Sequence, residues 1–318
     1  MINMKTLKLG ELEVPELAVG CRRFNNLSTA EADALVKGAM ELGANYFDNA
    51  DIYGGCISEE VFGSVIKNDP AVRDKMFIQT KCGIRKALNA FDMSKEYILN
   101  AVDGSLKRLN TDYIDTLLIH RLDALYEPEE IADAFDTLKK QGKVREFGVS
   151  NVTPMQIMLL QKYIKQNIVV NQMHFGLAHC SMVAQGISTN MVVDSAVDRD
   201  GFVLDFCRLN GITIQTWSTL QYGESAGVFI DSPLYPELNE AMQEIADKYG
   251  VTKTVIAYAW VLRHPAKMQP IAGSLKLARL ADSIRATEIT LTRDEWYRLF
   301  LAAGNKLPVN PQPGQALK

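Results

Sequence analysis

Four side chains that can move or hold protons stand where apolar segments of the sequence end. They are Asp48 after NYF, Tyr53 five residues later, Lys81 after FIQT and His120 after TLLI. A lysine ammonium beside a phenol favours the phenolate, which lowers the phenol pKa from its reference near ~10, and a carboxylate keeps the ammonium in place. A histidine on the same face can hydrogen-bond a substrate oxygen. The set suits protonation of a carbonyl oxygen by the tyrosine while a hydride reaches the carbonyl carbon.

A second group of residues suits an aromatic ring that carries an amide. Ser150 and Asn151 end the segment VREFGVSN, and Gln172 ends NIVVNQ. Their hydroxyl and amide groups supply donors and acceptors for the carboxamide of a nicotinamide. Trp217 ends GITIQTW and offers a flat surface for the ring.

These residues must be carried by elements whose ends converge. Short β-branched or aromatic segments alternate with amphipathic segments of helical length. The strand segments are ELAVG, NYFD, KMFIQT, YIDTLLI, VREFGVS, NIVVNQ, GITIQTWS and MQPIAG. Strand followed by helix, repeated, predicts an α/β fold, a (β/α)8 TIM barrel with its active site at the C-terminal ends of the strands. The opening TLKLGELEVPE predicts an N-terminal β-hairpin that closes the bottom of the barrel.

The length of the chain fits one barrel domain over residues 1–318. Residues 304–318 are rich in Pro, Gly and polar side chains, which predicts a loose C-terminal tail. The segment from His174 to Asp200 is longer than an ordinary loop between a strand and its helix. We interpret it as a wall or lid of the substrate site.

Composition restricts the compartment and the partners. A net charge of -4 without a dense basic run argues against nucleic acid. Five scattered cysteines without a CxxC pair suit reduced thiols. The first residues are charged where a signal peptide needs its apolar core, and no apolar segment reaches membrane-spanning length. The sequence therefore predicts a cytoplasmic protein without a membrane partner.

Beyond these features, the chain resembles the aldo-keto reductase family over roughly residues 5–303. The motifs that carry the resemblance are FDNADIYG, IQTKCG, LLIHR, GKVREFGVSN, NQ, IQTWS and IAGSLKLARL, in the order of the family. Within the family the chain is most similar to the bacterial YdhF-like oxidoreductase branch. The resemblance implies a monomer that uses NADP(H) to reduce an aldehyde or ketone, a small-molecule carbonyl substrate, to an alcohol. It also implies that Asp48, Tyr53, Lys81 and His120 form the catalytic tetrad, with Tyr53 as the proton donor.

The resemblance assigns the cofactor positions as well. Ser150, Asn151 and Gln172 match the carboxamide site and Trp217 the ring-stacking aromatic, Ser218 and Leu220 match the pyrophosphate loop, and Ser274, Lys276 and Arg279 match the site of the adenosine 2'-phosphate. Lys276 and Arg279 lie three residues apart near a helix start, hence on one helical face beside free N–H groups. Arg23, after the first strand, is a further candidate contact of the cofactor or substrate.

The chain departs from the family pattern at three positions. Gly273 replaces a lysine that many members carry, and Ser283 replaces an asparagine near the adenine. Both weaken the expected preference for NADP(H), and Lys276 is a candidate for the missing charge. His174 stands where the family usually has a glutamate, which puts a second histidine near the pocket rim.

Two other classes of function stay open on the sequence. A cofactor-binding, redox-sensing regulatory protein with little turnover would carry the same residues. A metal-dependent barrel hydrolase could use Asp48, His120 and His174 as ligands, but it leaves Ser274, Lys276 and Arg279 unexplained, and we assign no metal. The sequence does not identify the substrate, because loops determine that choice in barrel enzymes.

Overall fold

The computed structural model of the protein describes residues 4–223 and 227–308, and twelve strands are found there. They are β1 (Thr6–Leu9), β2 (Leu12–Pro15), β3 (Ala18–Gly20), β4 (Tyr46–Asp48), β5 (Phe77–Cys82), β6 (Ile84–Arg85), β7 (Ala90–Phe91), β8 (Ile114–Ile119), β9 (Val144–Ser150), β10 (Ile168–His174), β11 (Thr213–Trp217) and β12 (Gln269–Ala272). Eight of them, β3, β4, β5 and β8 to β12, pair in parallel in that order, and β12 pairs with β3 to close a barrel. The predicted (β/α)8 fold is confirmed.

Helices lie between the barrel strands. They are α1 (Thr29–Glu41), α2 (Ile57–Asn68), α3 (Lys95–Leu109), α4 (Pro128–Lys140), α5 (Pro154–Gln161), α6 (Ser181–Ile187), α7 (Val203–Leu209), α8 (Pro236–Tyr249), α9 (Lys253–Leu262), α10 (Leu277–Arg285) and α11 (Arg293–Ala302). Several begin where a side chain satisfies the free N–H groups of the first turn. Ser28 and Glu31 form a reciprocal capping box at α1, as Thr292 and Glu295 do at α11. Across the described ranges, no helix combines the length and apolarity needed to cross a membrane.

The core consists of apolar side chains between the strands and the surrounding helices. All six residues of β8 are buried, as expected for a parallel strand covered on both faces. Between the barrel and its outer helices, the ring of Phe135 on α4 stacks on that of Phe147 on β9, with 4.2 Å between the ring centroids. Trp260 on α9 and Trp296 on α11 stack at 4.8 Å, and each indole N–H donates to the backbone carbonyl of the other, at 3.1 Å. The last helix is thereby fixed to the barrel wall.

The N-terminal hairpin closes the barrel at the amino ends of its strands. Strands β1 and β2 are antiparallel, and Gly10 takes a positive φ of 59° in the turn between them. Leu9 and Val14 are fully buried, and they pack against side chains from inside the barrel. Those barrel residues are Ala18, Tyr46, Leu118, Val169, Val170 and Ile271. The prediction of a closing hairpin is confirmed.

The segment from His174 to Asp200 is partly helical. It contains α6 and a short 3-10 helix at Asp194–Ala196. Met182 and Val183 of α6 are buried in the core, whereas Val192 beyond the helix is fully exposed. The segment is therefore anchored to the barrel, and its role at the substrate site stays a prediction. Of the predicted C-terminal tail, residues 309–318 lie outside the described residues.

Candidate active site

The closed barrel brings the four predicted catalytic side chains to one face. Asp48 is the last residue of β4, Lys81 lies near the end of β5, and His120 follows β8. Tyr53 lies in the turn after β4, and its ring meets that of His120 edge-on at 5.9 Å between centroids. Residues separated by as many as 72 positions in the chain are neighbours here because parallel strands end together.

Lys81 connects Asp48 to Tyr53 through hydrogen bonds. Its ammonium donates to Asp48 Oδ1 at 2.6 Å, to the Asn49 carbonyl at 2.8 Å and to Tyr53 Oη at 3.1 Å. The Lys81 side chain is 0% exposed, so three acceptors use all three of its N–H groups without water. Burial disfavours its charge, but Asp48 and Tyr53 outweigh burial, and the pKa of Lys81 is raised. Lys81 is therefore a cation at neutral pH.

The pKa of Tyr53 differs from the expectation drawn from the sequence. Burial of the phenol raises its pKa, and the opposing charge of Lys81 reduces this rise without reversing it. The expectation that the lysine would bring the phenol pKa below its usual value is wrong for this structure, because the sequence does not reveal how fully the hydroxyl is desolvated. Tyr53 is accordingly protonated at neutral pH and has a proton to give.

His120 is neutral at neutral pH. Burial, followed by the charges of Lys81, Arg121 and Arg22, lowers its pKa well below the usual value. Its Nδ1 is buried, and within residues 4–223 and 227–308 it has no hydrogen-bond partner. A neutral imidazole can donate one hydrogen bond to a substrate oxygen without adding a charge to the pocket.

The residues predicted for the carboxamide lie together beside the tetrad. Ser150 Oγ donates to the Gln172 carbonyl at 3.1 Å, and Asn151 Nδ2 donates to Ser150 Oγ at 2.8 Å. Trp217 Nε1 donates to Asn151 Oδ1 at 3.2 Å, so the indole is fixed to the same cluster. Asn151 holds a positive φ of 55°, which is uncommon for a residue with a side chain and frequent at functional sites.

The predicted pyrophosphate residues follow directly on Trp217. Ser218 has a positive φ of 51°, and its carbonyl accepts from Gln221 N at 2.8 Å in a tight turn. Leu220 is partly buried against the core. This turn leads towards residues 224–226, which lie outside the described residues.

The predicted phosphate end lies at the junction of β12 and α10. The Arg23 guanidinium donates to the Gly273 carbonyl, so Arg23 from the β3 end meets this junction. A Cβ built on Gly273 would have only this guanidinium nearby, at 3.8 Å, so the backbone here is open to a ligand. Ser274 Oγ accepts from Lys276 N at 3.2 Å just before α10. Lys276 is exposed at the helix start.

Two residues of α10 have different surroundings. Arg279 is exposed, and among the residues that the structure describes its side chain forms no ion pair. Ser283 is buried, and its hydroxyl donates to the Arg279 carbonyl at 3.0 Å. The structure thus brings Gly273, Ser274, Lys276 and Arg279 to one surface, with Ser283 beneath it.

Sequence reasoning missed two features of the site. His174 stacks on Trp217 at 4.5 Å and on His179 at 3.8 Å, and no local pattern gives that arrangement. Glutamines also line the barrel interior below Asp48. Their signal was present in the sequence, because a glutamine interrupts the apolar segments of three strands, as FIQT, TIQT and MQPI. A polar side chain within a buried strand needs a hydrogen-bond partner, so these glutamines could have been predicted to bond to other polar groups inside the barrel.

Comparison with known proteins agrees with the fold and the predicted family. The chain matches the model of the Aldo/keto reductase family over residues 16–300. It is 34% identical over 284 residues to the oxidoreductase YdhF of Escherichia coli, covering 87% of this chain and 89% of that protein. It is also 34% identical over 306 residues to a 6-dehydroglucose reductase of Novosphingobium aromaticivorans, covering 93% of this chain and 94% of that protein.

A solved structure extends the comparison to the fold. An aldo-keto reductase from Klebsiella pneumoniae, crystallised with NADPH, superposes with a TM-score of 0.76 over 100% of this chain and 99% of that chain, at 22% identity. The architecture is that of the barrel oxidoreductases. The chain belongs to the aldo/keto reductase family, and the family prediction from the motifs is confirmed.

Proposed function

We propose that the protein reduces an aldehyde or ketone to an alcohol with NADPH, and that Tyr53 donates the proton. The observation that carries the proposal is the position of Lys81, whose ammonium contacts both Asp48 and Tyr53 inside a desolvated site. A cation held there stabilises the phenolate that Tyr53 becomes when it gives up its proton. Family membership supports the same reaction class.

The residues of the chain have separate tasks in this scheme. Tyr53 protonates the substrate oxygen, and neutral His120 donates a hydrogen bond to the same oxygen. Asp48 holds Lys81 in place. When bound, NADPH supplies the hydride that the carbonyl carbon receives.

The donor set fits such a cofactor. Ser150, Asn151 and Gln172 present amide and hydroxyl groups that suit a carboxamide. At the other end, Lys276 and Arg279 present positive charge at the start of α10, where free backbone N–H groups also favour an anion. The complex of the Klebsiella pneumoniae protein with NADPH makes this cofactor the natural first choice.

The substitution Tyr53→Phe tests the proton donor, because it keeps the ring and removes the hydroxyl. We expect reduction to fall by about 10²–10⁴-fold, while NADPH binding, followed by fluorescence titration, persists. Tyr163→Phe, at an exposed position, serves as the matched control and should leave turnover unchanged. Near-normal turnover of Tyr53→Phe would refute the assigned role.

The substitution Arg279→Ala tests the cofactor site. A charge-assisted hydrogen bond to the 2'-phosphate is worth about 1.5–3 kcal/mol, hence about 10–100-fold in affinity for NADPH. Affinity for NADH, which lacks this phosphate, should change little, and the preference for NADPH should shrink as salt rises. Arg285→Ala, exposed at the other end of α10, is the control. Equal affinity of the unmodified protein for both cofactors would reject the phosphate assignment.

The surroundings of His120 favour an oxygen-rich substrate. Arg22 follows β3 and Arg121 follows β8, and the charges of both act on His120. Among the described residues neither guanidinium has a carboxylate partner. Hydroxyl or anionic oxygens on the substrate would supply acceptors. The name of the 6-dehydroglucose reductase relative makes sugar aldehydes a reasonable start for a carbonyl panel monitored by NADPH consumption.

The two other classes of function have distinct tests. A regulatory protein would bind NADPH but fail to transfer its hydride in a single-turnover measurement with excess protein. A metal-dependent hydrolase would lose activity to a chelator. In the part of the chain that the structure describes, no group of three or more His, Cys, Asp or Glu side chains could hold a metal ion, which disfavours that class.

A further inference from the structure

Four glutamines from four barrel strands meet inside the barrel below Asp48. This glutamine column consists of Gln79 on β5, Gln172 on β10, Gln215 on β11 and Gln269 on β12. All four are buried. A buried amide without hydrogen-bond partners costs about 1–3 kcal/mol of stability. The hydrogen bonds that these four amides make therefore indicate the role of the column.

The top of the column contacts the tetrad. Asp48 Oδ1 accepts from Gln79 Nε2, and from Gln172 Nε2 at 3.1 Å, in addition to Lys81 Nζ. Gln215 Oε1 accepts the second N–H of both amides, at 2.8 Å from Gln79 and 3.0 Å from Gln172. Gln215 thereby keeps two N–H groups directed at one oxygen of Asp48. Rotation of either amide would break two bonds at once.

The lower part of the column fixes the orientation of Gln215 and Gln79. Gln215 Nε2 donates to Gln269 Oε1 at 2.8 Å, and Gln269 Nε2 donates to the Pro15 carbonyl of the N-terminal hairpin. The Tyr46 hydroxyl donates to Gln79 Oε1 at 2.8 Å. A continuous series of hydrogen bonds thus joins the closed bottom of the barrel to the active site. Gln79, Gln215 and Gln269 have hydrogen-bond partners at both their amide oxygen and their amide nitrogen, so each is held in one orientation.

From these contacts we propose that Gln79 and Gln215 are positioning residues for the reductase reaction, holding Asp48 as the anion that keeps Lys81 beside Tyr53. This inference rests on the proposed function. The N–H groups of the column stabilise the ionised carboxylate, and they fix Oδ1 where Lys81 reaches both Asp48 and Tyr53. Gln172 contributes to the same arrangement through its Nε2, which donates to both Asp48 and Gln215.

Two other titratable side chains that interact with Asp48, Tyr46 and Cys21, bring no charge to it. Burial raises the pKa of Tyr46 and of Cys21, so both are neutral at neutral pH. Lys81 forms the salt bridge to Asp48. Besides Lys81, the donors to Asp48 Oδ1 are the neutral amide groups of Gln79 and Gln172.

A matched pair of substitutions tests the inference. Gln79→Met and Gln269→Met each replace a fully buried amide of the column by an unbranched apolar chain, but only Gln79 contacts Asp48. For Gln79→Met we expect kcat to fall about 10–100-fold with little change in the KM for NADPH. Gln269→Met, which acts on Asp48 only through Gln215, should lower kcat by a smaller factor than Gln79→Met.

A second measurement needs no turnover. Titration of Tyr53 by near-ultraviolet absorbance, as the difference from a Tyr53→Phe background, should give a higher phenol pKa in Gln79→Met, because the Asp48 charge is less neutralised. If Gln79→Met fails to fold, Gln215→Met releases the second N–H of both Gln79 and Gln172 and should give the same shifts. Equal effects of Gln79→Met and Gln269→Met on kcat, or an unchanged phenol pKa of Tyr53 in Gln79→Met, would overturn the inference.

These outcomes separate the inference from the proposed function. An unmodified protein that reduces no carbonyl would contradict the proposed function, and the absorbance titration would still decide whether the column acts on Tyr53. An active protein in which Gln79→Met leaves both kcat and the phenol pKa of Tyr53 unchanged would contradict the role of the column alone.

Discussion

Replacement of Asp51 by asparagine should stabilise the protein, and by more as the pH rises. Asp51 belongs to the segment FDNADIYG, three residues after Asp48, and it is buried. Within the described residues its Oδ1 has no hydrogen-bond partner. Burial, followed by the charge of neighbouring Glu59, raises the pKa of Asp51 from 3.8 to about 7. Glu59 accepts from Arg108 Nε at 2.8 Å, and the charges of Arg108 and Lys81 offset the rise at Asp51 only in part.

The sign and the size follow from proton linkage. Between about pH 4 and pH 7 the native protein keeps the proton of Asp51 while the unfolded chain loses it, so the free energy of unfolding falls as pH rises. Each pH unit across this window corresponds to about 1.4 kcal/mol, and above about pH 7 the loss is constant. Between pH 5 and pH 8 the carboxyl therefore removes about 2–3 kcal/mol. Asparagine, nearly the same in shape, does not ionise.

Urea unfolding of the unmodified protein and of Asp51→Asn at a series of pH values would measure this difference. Comparison of the two proteins cancels the titrating groups that do not interact with Asp51. We expect the variant to gain about 2–3 kcal/mol relative to the unmodified protein between pH 5 and pH 8. Asp112→Asn, at an exposed position, is the control and should give parallel curves. Parallel curves for Asp51→Asn would refute the reasoning that burial leaves this carboxyl uncompensated.

Three further predictions concern the tetrad, the last helix and the long segment after β10. Lys81→Met should abolish most reduction and destabilise the protein by about 3–5 kcal/mol in urea unfolding, because Asp48 would be a buried charge without its cation; unchanged stability would contradict the buried pair. Trp296→Phe should keep the stack on Trp260 and lose one indole hydrogen bond, lowering stability by about 1–3 kcal/mol, and an unchanged unfolding midpoint would argue that the bond is not formed. Shortening the exposed part of the segment at residues 189–193 should change selectivity in a carbonyl panel and leave NADPH affinity nearly the same, whereas equal losses for every carbonyl would count against a selective role.

The sequence determined the elements and the order of the chemical residues. Buried strands such as IDTLLI and helix starts such as Ser28 before α1 are set by neighbouring residues, so local pattern identifies them. Alternation of strand and helix then leaves few topologies. Once the barrel was expected, the convergence of Asp48, Lys81 and His120 followed, because parallel strands all end on one face.

The local sequence pattern did not predict helix α6 in the long segment after β10. Helix α6 is short, and what holds it is the burial of Met182 and Val183 against the rest of the protein. Such a helix gains its stability from tertiary packing, which propensity does not contain. The stack of His174 on Trp217 is also tertiary in origin, because it depends on the pairing of β10 with β11, which places these two strand-end residues opposite each other.

Only the tertiary structure decided the electrostatics of the site. Whether the pKa of Tyr53 rises or falls depends on the balance between burial and Lys81, and burial is the sum of contacts from many distant segments. The glutamine column likewise joins Gln79 to Gln215 across 136 positions of sequence. Residue identity gives each side chain its donors, acceptors and charge. Closure of the barrel decides which of these side chains share an interior without water. Their protonation states follow from those contacts.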